Sequence, residues 1–74
     1  MQETLDLRGL RCPLPVLKTR KAIRAFDGGT EVHILVTDPS APADMQDFCI
    51  HTGHEWLGME ALEDHTRLRL RLKL

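Results

Sequence analysis

The stretch Leu5-Asp6-Leu7-Arg8-Gly9-Leu10-Arg11-Cys12-Pro13-Leu14-Pro15-Val16-Leu17-Lys18 changes its period in the middle. Leu5 and Leu7 alternate with Thr4, Asp6 and Arg8, the pattern of a short strand with one buried face. Gly9 breaks the alternation. From Pro13 or Leu14 onward the repeat lengthens: Val16, Thr19, Ile23 and Phe26 share one helical face, while Lys18, Lys21 and Arg24 fall largely on the other. Asp27-Gly28-Gly29 ends this helix. Pro15 belongs to its first turn, where backbone N–H groups have no intrahelical partner, so it marks the helix start rather than opposing it.

The rest of the chain extends this β-α beginning. Val32, Ile34 and Val36 form a second strand, followed by the turn-rich Thr37-Asp38-Pro39-Ser40-Ala41-Pro42-Ala43-Asp44. Asp38 or Ser40 can cap the next helix, with Pro42 in its first turn. Met45, Phe48, Cys49 and Thr52 are spaced as one face of that helix, and Gly53 stops it. Trp56 to Leu62 reads as a weaker strand interrupted by Gly58. Finally, Leu68, Leu70, Leu72 and Leu74 alternate with Arg67, Arg69, Arg71 and Lys73, giving a strand with one apolar and one basic face. Two helices and about four strands suit a two-layer α/β sandwich, both helices on one face of the sheet and the last two strands an antiparallel hairpin. Helical connections between parallel strands should be right-handed crossovers.

A chain of 74 residues supports one domain, expected to span residues 1–74 around a single thin core. Hydrophobic residues make up 42% and charged residues 28%, ordinary globular usage. A formal net charge of -1 with no polybasic tail argues against a dedicated nucleic-acid binder. Neither a signal peptide nor an apolar run long enough for a membrane span is visible. Two cysteines, Cys12 and Cys49, make no disulfide framework and no Cys-x-x-Cys signature. The expected setting is cytoplasmic, with both thiols free.

Chemistry concentrates at Cys12. It lies just past a strand and immediately before a helix, at the positive end of the helix dipole. Arg11 and Lys18 add cationic charge. This setting predicts a depressed thiol pKa and a thiolate presented by a stiff, proline-bounded turn. Cys49, following Phe48 on the apolar helix face, reads as core. No resolving cysteine lies near Cys12 for dithiol exchange. His33, His51, His54 and His65 show no spacing that assembles a hydrolase triad. One exposed nucleophilic sulfur is enough for a carrier that takes a group from one partner and gives it to another.

The segment Leu5 to Ala22, with Thr37-Asp38-Pro39, Asp47-Phe48-Cys49 and Thr52-Gly53-His54-Glu55, resembles the TusA/SirA-type sulfur-carrier family, whose signature is Cys-Pro-x-Pro after a short strand. The resemblance implies a β-α-β-α-β-β sandwich with a mixed four-stranded sheet, like the C-terminal domain of a bacterial translation initiation factor. It also implies that Cys12 holds a persulfide sulfur while Pro13 and Pro15 set up the helix start. The implied partners are a sulfur donor, a cysteine desulfurase or rhodanese-like protein, and an acceptor relay protein, with tRNA wobble-uridine 2-thiolation, sulfur oxidation or molybdenum-cofactor supply as end uses. No cofactor, metal or membrane partner is expected. The turn Leu62-Glu63-Asp64-His65 departs from the family, in which a glycine is common before the last strand.

Lys18, Lys21 and Arg24 share the helix with Cys12, so partner docking is expected there, at Lys21 and Arg24 above all. A competing reading makes the chain a non-catalytic interaction or regulatory module that docks through the same basic face. A third uses the Arg67/Arg69/Arg71/Lys73 row against RNA, although that strand lacks aromatic side chains for base stacking. Asp38 reads as a turn residue and Asp44 as a first-turn residue favoured by the helix dipole. The His51/His54 pair is thin evidence for a metal, and Trp56 reads as core or hairpin cover.

Overall fold

The period switch at Gly9 and Pro13 is realised as a strand, a tight loop and a helix. A computed structural model describes residues 1–73 and runs β1 (Gln2–Asp6), α1 (Leu14–Ala22), a 3-10 turn (Ile23–Ala25), β2 (Glu31–Val36), α2 (Ala41–Thr52), β3 (Glu55–Ala61) and β4 (Thr66–Arg71). The sheet order is β1-β2-β4-β3. β1 pairs with β2 in parallel, and β4 pairs antiparallel with both β2 and β3. Both helices cover one face, so the expected mixed sheet and β-α-β-α-β-β sandwich are observed.

The two central strands carry the core. Val32, Ile34 and Val36 from β2 and Leu68 and Leu70 from β4, with Leu72 just beyond it, are essentially inaccessible. Each side chain of this size contributes about 1.5–3 kcal/mol when removed from water. Met45, Phe48 and Cys49 press on them from α2, and Thr19 and Ile23 from α1 and its 3-10 extension. Pro15 is also fully buried: the residue that marks the helix start is part of the apolar seam as well. α1 is shorter than its periodicity predicts. It tightens into the 3-10 turn, with Phe26 N–H donating to the Ile23 carbonyl, and half-buried Phe26 packs from extended backbone rather than from a helix. The strand expected at Trp56–Leu62 is present one residue earlier. Leu74, expected on the apolar face of the last strand, lies outside the described residues.

Two glycines act through their backbone. Gly53 ends α2 at φ +84, donating its N–H to the Cys49 carbonyl. Gly58, at φ +134, follows a β-bulge: Trp56 faces Leu70 and Gly58 faces Arg69, leaving Leu57 as the extra residue. Glu55 and Glu60 are an odd number of positions apart, and an uninterrupted strand would put them on opposite faces. The bulge places them opposite Arg71 and Arg67 on the same face.

That helix-free face is a lattice of ion pairs. Arg67 bonds Glu60 at 2.6 Å, Arg71 bonds Glu55 at 3.2 Å, and Arg69 bonds Glu31 at 3.3 Å. Glu31 also accepts from His33 Nε2 at 2.6 Å and lies 3.8 Å from Arg71. His33, followed by Arg69, holds the Glu31 carboxyl below its usual range. The arginine row that suggests a free basic face in the sequence is thus matched by glutamates from β2 and β3, which removes the charge argument for RNA binding there.

Candidate functional site

The loop between β1 and α1 is tied to the loop between β2 and α2 by two bonds. Gly9 N–H donates to Thr37 Oγ1 at 2.9 Å, and Cys12 N–H donates to Asp38 Oδ2 at 2.6 Å. The other Asp38 oxygen accepts from Ser40 N–H at 2.9 Å and from Ser40 Oγ at 3.0 Å. One carboxylate therefore closes the turn before α2 and fixes the backbone of Cys12. The Ser40 amide, then the Cys12 amide, hold its carboxyl below the usual range. Neither predicted cap has a side-chain bond into α2: Ser40 occupies the N-cap position without one, and Asp38 acts one turn earlier. The Cys12–Pro13 peptide is cis.

Cys12 is exposed and Cys49 is buried. Burial pushes the Cys49 thiol up to about 11, which leaves it neutral and inert at physiological pH. Cys12 opens into a groove of about 320 Å³ between the helices, lined by Pro13 and Val16 on one side and Asp44, Phe48 and His51 on the other. The expected depression of its pKa is reversed. Hydrogen bonding to the Asp44 carboxylate, then desolvation, then the Asp44 charge raise it above the ordinary cysteine value; Ser40 opposes them, and the Asp38 charge adds least. A helix N-terminus offers about half a unit of positive charge, and here two full carboxylate charges face it. At rest the group is a thiol with a proton acceptor beside it.

Of the other residues read from the sequence, Pro13 lines the Cys12 groove and Pro15 is fully buried. Arg11 faces the far side of the loop, with Thr37 and Pro39. Lys18 and Lys21 are exposed and line neither interhelical groove. Arg24 lines a second groove farther along the helix seam. Sequence reasoning missed Arg20, whose guanidinium stacks 5.7 Å above the Phe48 ring and borders both grooves. Its one-turn spacing from Val16 was the available signal. It also missed the approach of Asp38 and Asp44 to Cys12, because both come from the other half of the chain. His51 borders the thiol groove, its Nδ1–H donating to the Asp47 carbonyl. His54 stacks against Phe48 at 5.9 Å and accepts the Lys73 N–H on Nδ1. Among the described residues no three His, Cys, Asp or Glu side chains are grouped to hold a metal ion.

A two-layer domain with one exposed, backbone-anchored thiol at a strand-to-helix junction defines a small single-thiol α/β scaffold. The profile of the family "Sulfurtransferase TusA" matches residues 3–72, and the chain belongs to that family. The sulfur carrier protein TusA of Allochromatium vinosum is 35% identical over 71 residues, covering 96% of this chain and 91% of the relative. That of Pseudomonas entomophila is 42% identical over 57 residues, 77% of this chain and 71% of the relative. A SirA-like protein from Desulfitobacterium hafniense has the same fold, with TM-score 0.81 and 22% identity over 97% of this chain and 99% of its own.

Proposed function

We propose that the protein is a sulfur carrier that accepts sulfane sulfur on Cys12 as Cys12–S–SH. The observation that carries this reading is the pairing of an exposed Cys12, whose amide is anchored, with a Cys49 withdrawn into the core. Cys12 Sγ attacks the terminal sulfur of a donor persulfide. The new sulfur–sulfur bond forms as the old one breaks, the donor leaves as its thiolate, and the Asp44 carboxylate takes the Cys12 proton. The reverse exchange delivers sulfur to a cysteine of an acceptor protein without any oxidant or reductant. The donor is a cysteine desulfurase or rhodanese-like protein in a reducing cytoplasm, and 2-thiolation of the tRNA wobble uridine is the end use to test first. Pro13 and Pro15 shape the junction, Arg11 and Lys18 supply charge around it, and Lys21 and Arg24 dock the partner.

Intact-mass measurement after incubation with a desulfurase and cysteine tests this. One added sulfur, about 32 Da, is expected, removable by a reductant because it sits in a persulfide. Cys12→Ser should abolish the adduct and Cys49→Ser should retain it. An adduct that survives Cys12→Ser overturns the assignment, and partner binding with no adduct on any variant points to the interaction-module reading instead.

A further inference from the structure

The thiol groove does not end at His51. Arg20, Phe48 and His51 border both it and a second groove of about 610 Å³, which continues along the helix seam past Ile23 and Arg24 to His54. The two are chemically unlike. Asp44 and Asp47 line the first, beside Cys12, whereas the second contains two arginines and two histidines and no carboxylate. Its cations are also unspent: among the described residues neither Arg20 nor Arg24 takes part in a salt bridge, whereas Arg8, Arg67, Arg69 and Arg71 all do. Phe48 supplies an apolar floor held between Arg20 and His54. Because His54 Nδ1 accepts the Lys73 N–H, the neutral ring carries its hydrogen on Nε2, a donor rather than an acceptor.

From these observations we infer that the continuous groove binds a small anionic peptide persulfide, with its sulfur at Cys12 and a carboxylate at Arg20 and Arg24. This rests on the sulfur-carrier reading and adds a low-molecular-mass donor to it. Size selects the ligand. Arg20 and Arg24 follow Val16 by four and eight positions, Arg24 from the 3-10 turn, so their α-carbons stand about 6 and 13 Å beyond that of Val16 along the axis. Arg20 shares the groove of Cys12 but Arg24 borders only the second, so a donor that engages both arginines must be longer than a single amino-acid persulfide. A peptide adds about 3.3 Å per residue, so a carboxylate two or three residues from the sulfur reaches. Both grooves fall within the range of small-molecule sites, roughly 300–1,000 Å³. The step balances: Cys12 Sγ bonds the outer sulfur of R–S–SH, the R–S to outer-sulfur bond breaks, and the peptide leaves as R–S⁻, taking up the proton that Cys12 gave to Asp44.

Glutathione persulfide, cysteine persulfide and an uncharged alkyl persulfide should be offered to the full chain, with the rate of Cys12 sulfuration followed by intact mass. The glutathione donor is expected to react fastest. Arg24→Ala should slow it about tenfold, as loss of a charge-assisted bond does, while leaving the uncharged donor unaffected. In parallel, reduced glutathione titrated into Cys12→Ser should shift the NMR signals of Arg20, Arg24 and His54 saturably. Equal rates for glutathione and uncharged donors, insensitive to Arg24→Ala, overturn the inference and leave the carrier reading standing. Saturable shifts without sulfur transfer overturn it as a donor site. No adduct from any small donor or from a desulfurase overturns both.

Discussion

The sheet face and the α1 face carry comparable numbers of cations and handle them in opposite ways. On the sheet, Arg67, Arg69 and Arg71 each meet a glutamate across the strands, and Glu31 alone serves His33, Arg69 and Arg71. On α1 and the 3-10 turn that continues it, Lys18, Arg20, Lys21 and Arg24 are exposed and make no salt bridge among the described residues. Density of positive charge is therefore a poor guide to recognition in this molecule. The row that looks most basic in the sequence is neutralised within the sheet, and the equally dense helix row is free to meet an anionic partner. Opposite charges facing across strands favour the register that brings them together. Unpaired charges on a helix add little to stability and remain available to steer association.

Charge reversal gives the largest test of this contrast. Lys21→Glu with Arg24→Glu should cut the rate of sulfur loading by a donor protein tenfold or more, because steering by several like charges compounds. The melting temperature should stay within a few degrees, since neither side chain is buried. Reversing Arg67 and Arg71 should do the opposite, lowering the melting temperature while leaving loading within about twofold. Equal loading losses from the two pairs would break the comparison.

At the junction between the faces, Asp44→Asn should speed alkylation of Cys12 by iodoacetamide a few-fold at neutral pH. It removes the group that does most to hold the thiol protonated. A slower reaction would show that Asp44 assists the thiol as a base more than it opposes the thiolate.

Acid should weaken the sheet side. Glu31 and Asp6 have folded-state values below their unfolded ones, Asp6 falling to about 2 through its bonds from Arg8. Such groups contribute stability that is fully present above the unfolded carboxylate values and is lost as pH falls through the folded ones. Urea midpoints should be flat from neutrality to about pH 4.5 and fall from there toward pH 2. Glu31→Gln should make the fall shallower. The smallest effect is expected from Asp6→Asn at pH 7: the Asp6–Arg8 pair is half exposed on both sides, and a lone surface pair is worth little.

Period alone made most of the fold legible. Val32/Ile34/Val36 and Leu68/Leu70/Leu72 alternate so regularly that the central strands and their buried face could be read directly, and Gly53 marked the end of α2. Cys12 was legible as the candidate reactive thiol because it stands at a strand-to-helix junction with no second thiol near it. What could not be read depends on contact between distant segments. Asp38 has a local use, the Ser40 turn, which conceals its bond to Cys12 twenty-six positions away. Asp44 fits its own helix so well that nothing marks it as a neighbour of the thiol, and that omission inverted the expected pKa direction. The glutamates that neutralise the arginine row lie on two other strands, one of them in register only because of a bulge.

On the proposed carrier reading, the bond from the Cys12 amide to Asp38 also constrains exchange with partners. With the main chain held there, the cargo atom can travel only as far as a cysteine side chain plus one sulfur–sulfur bond of about 2.05 Å allows. There is no long arm to swing between stations. Donor and acceptor must each come to the same few ångströms of space, so they cannot be served at once. On that reading donor and acceptor are expected to alternate, with ping-pong kinetics and mutual competition between the two.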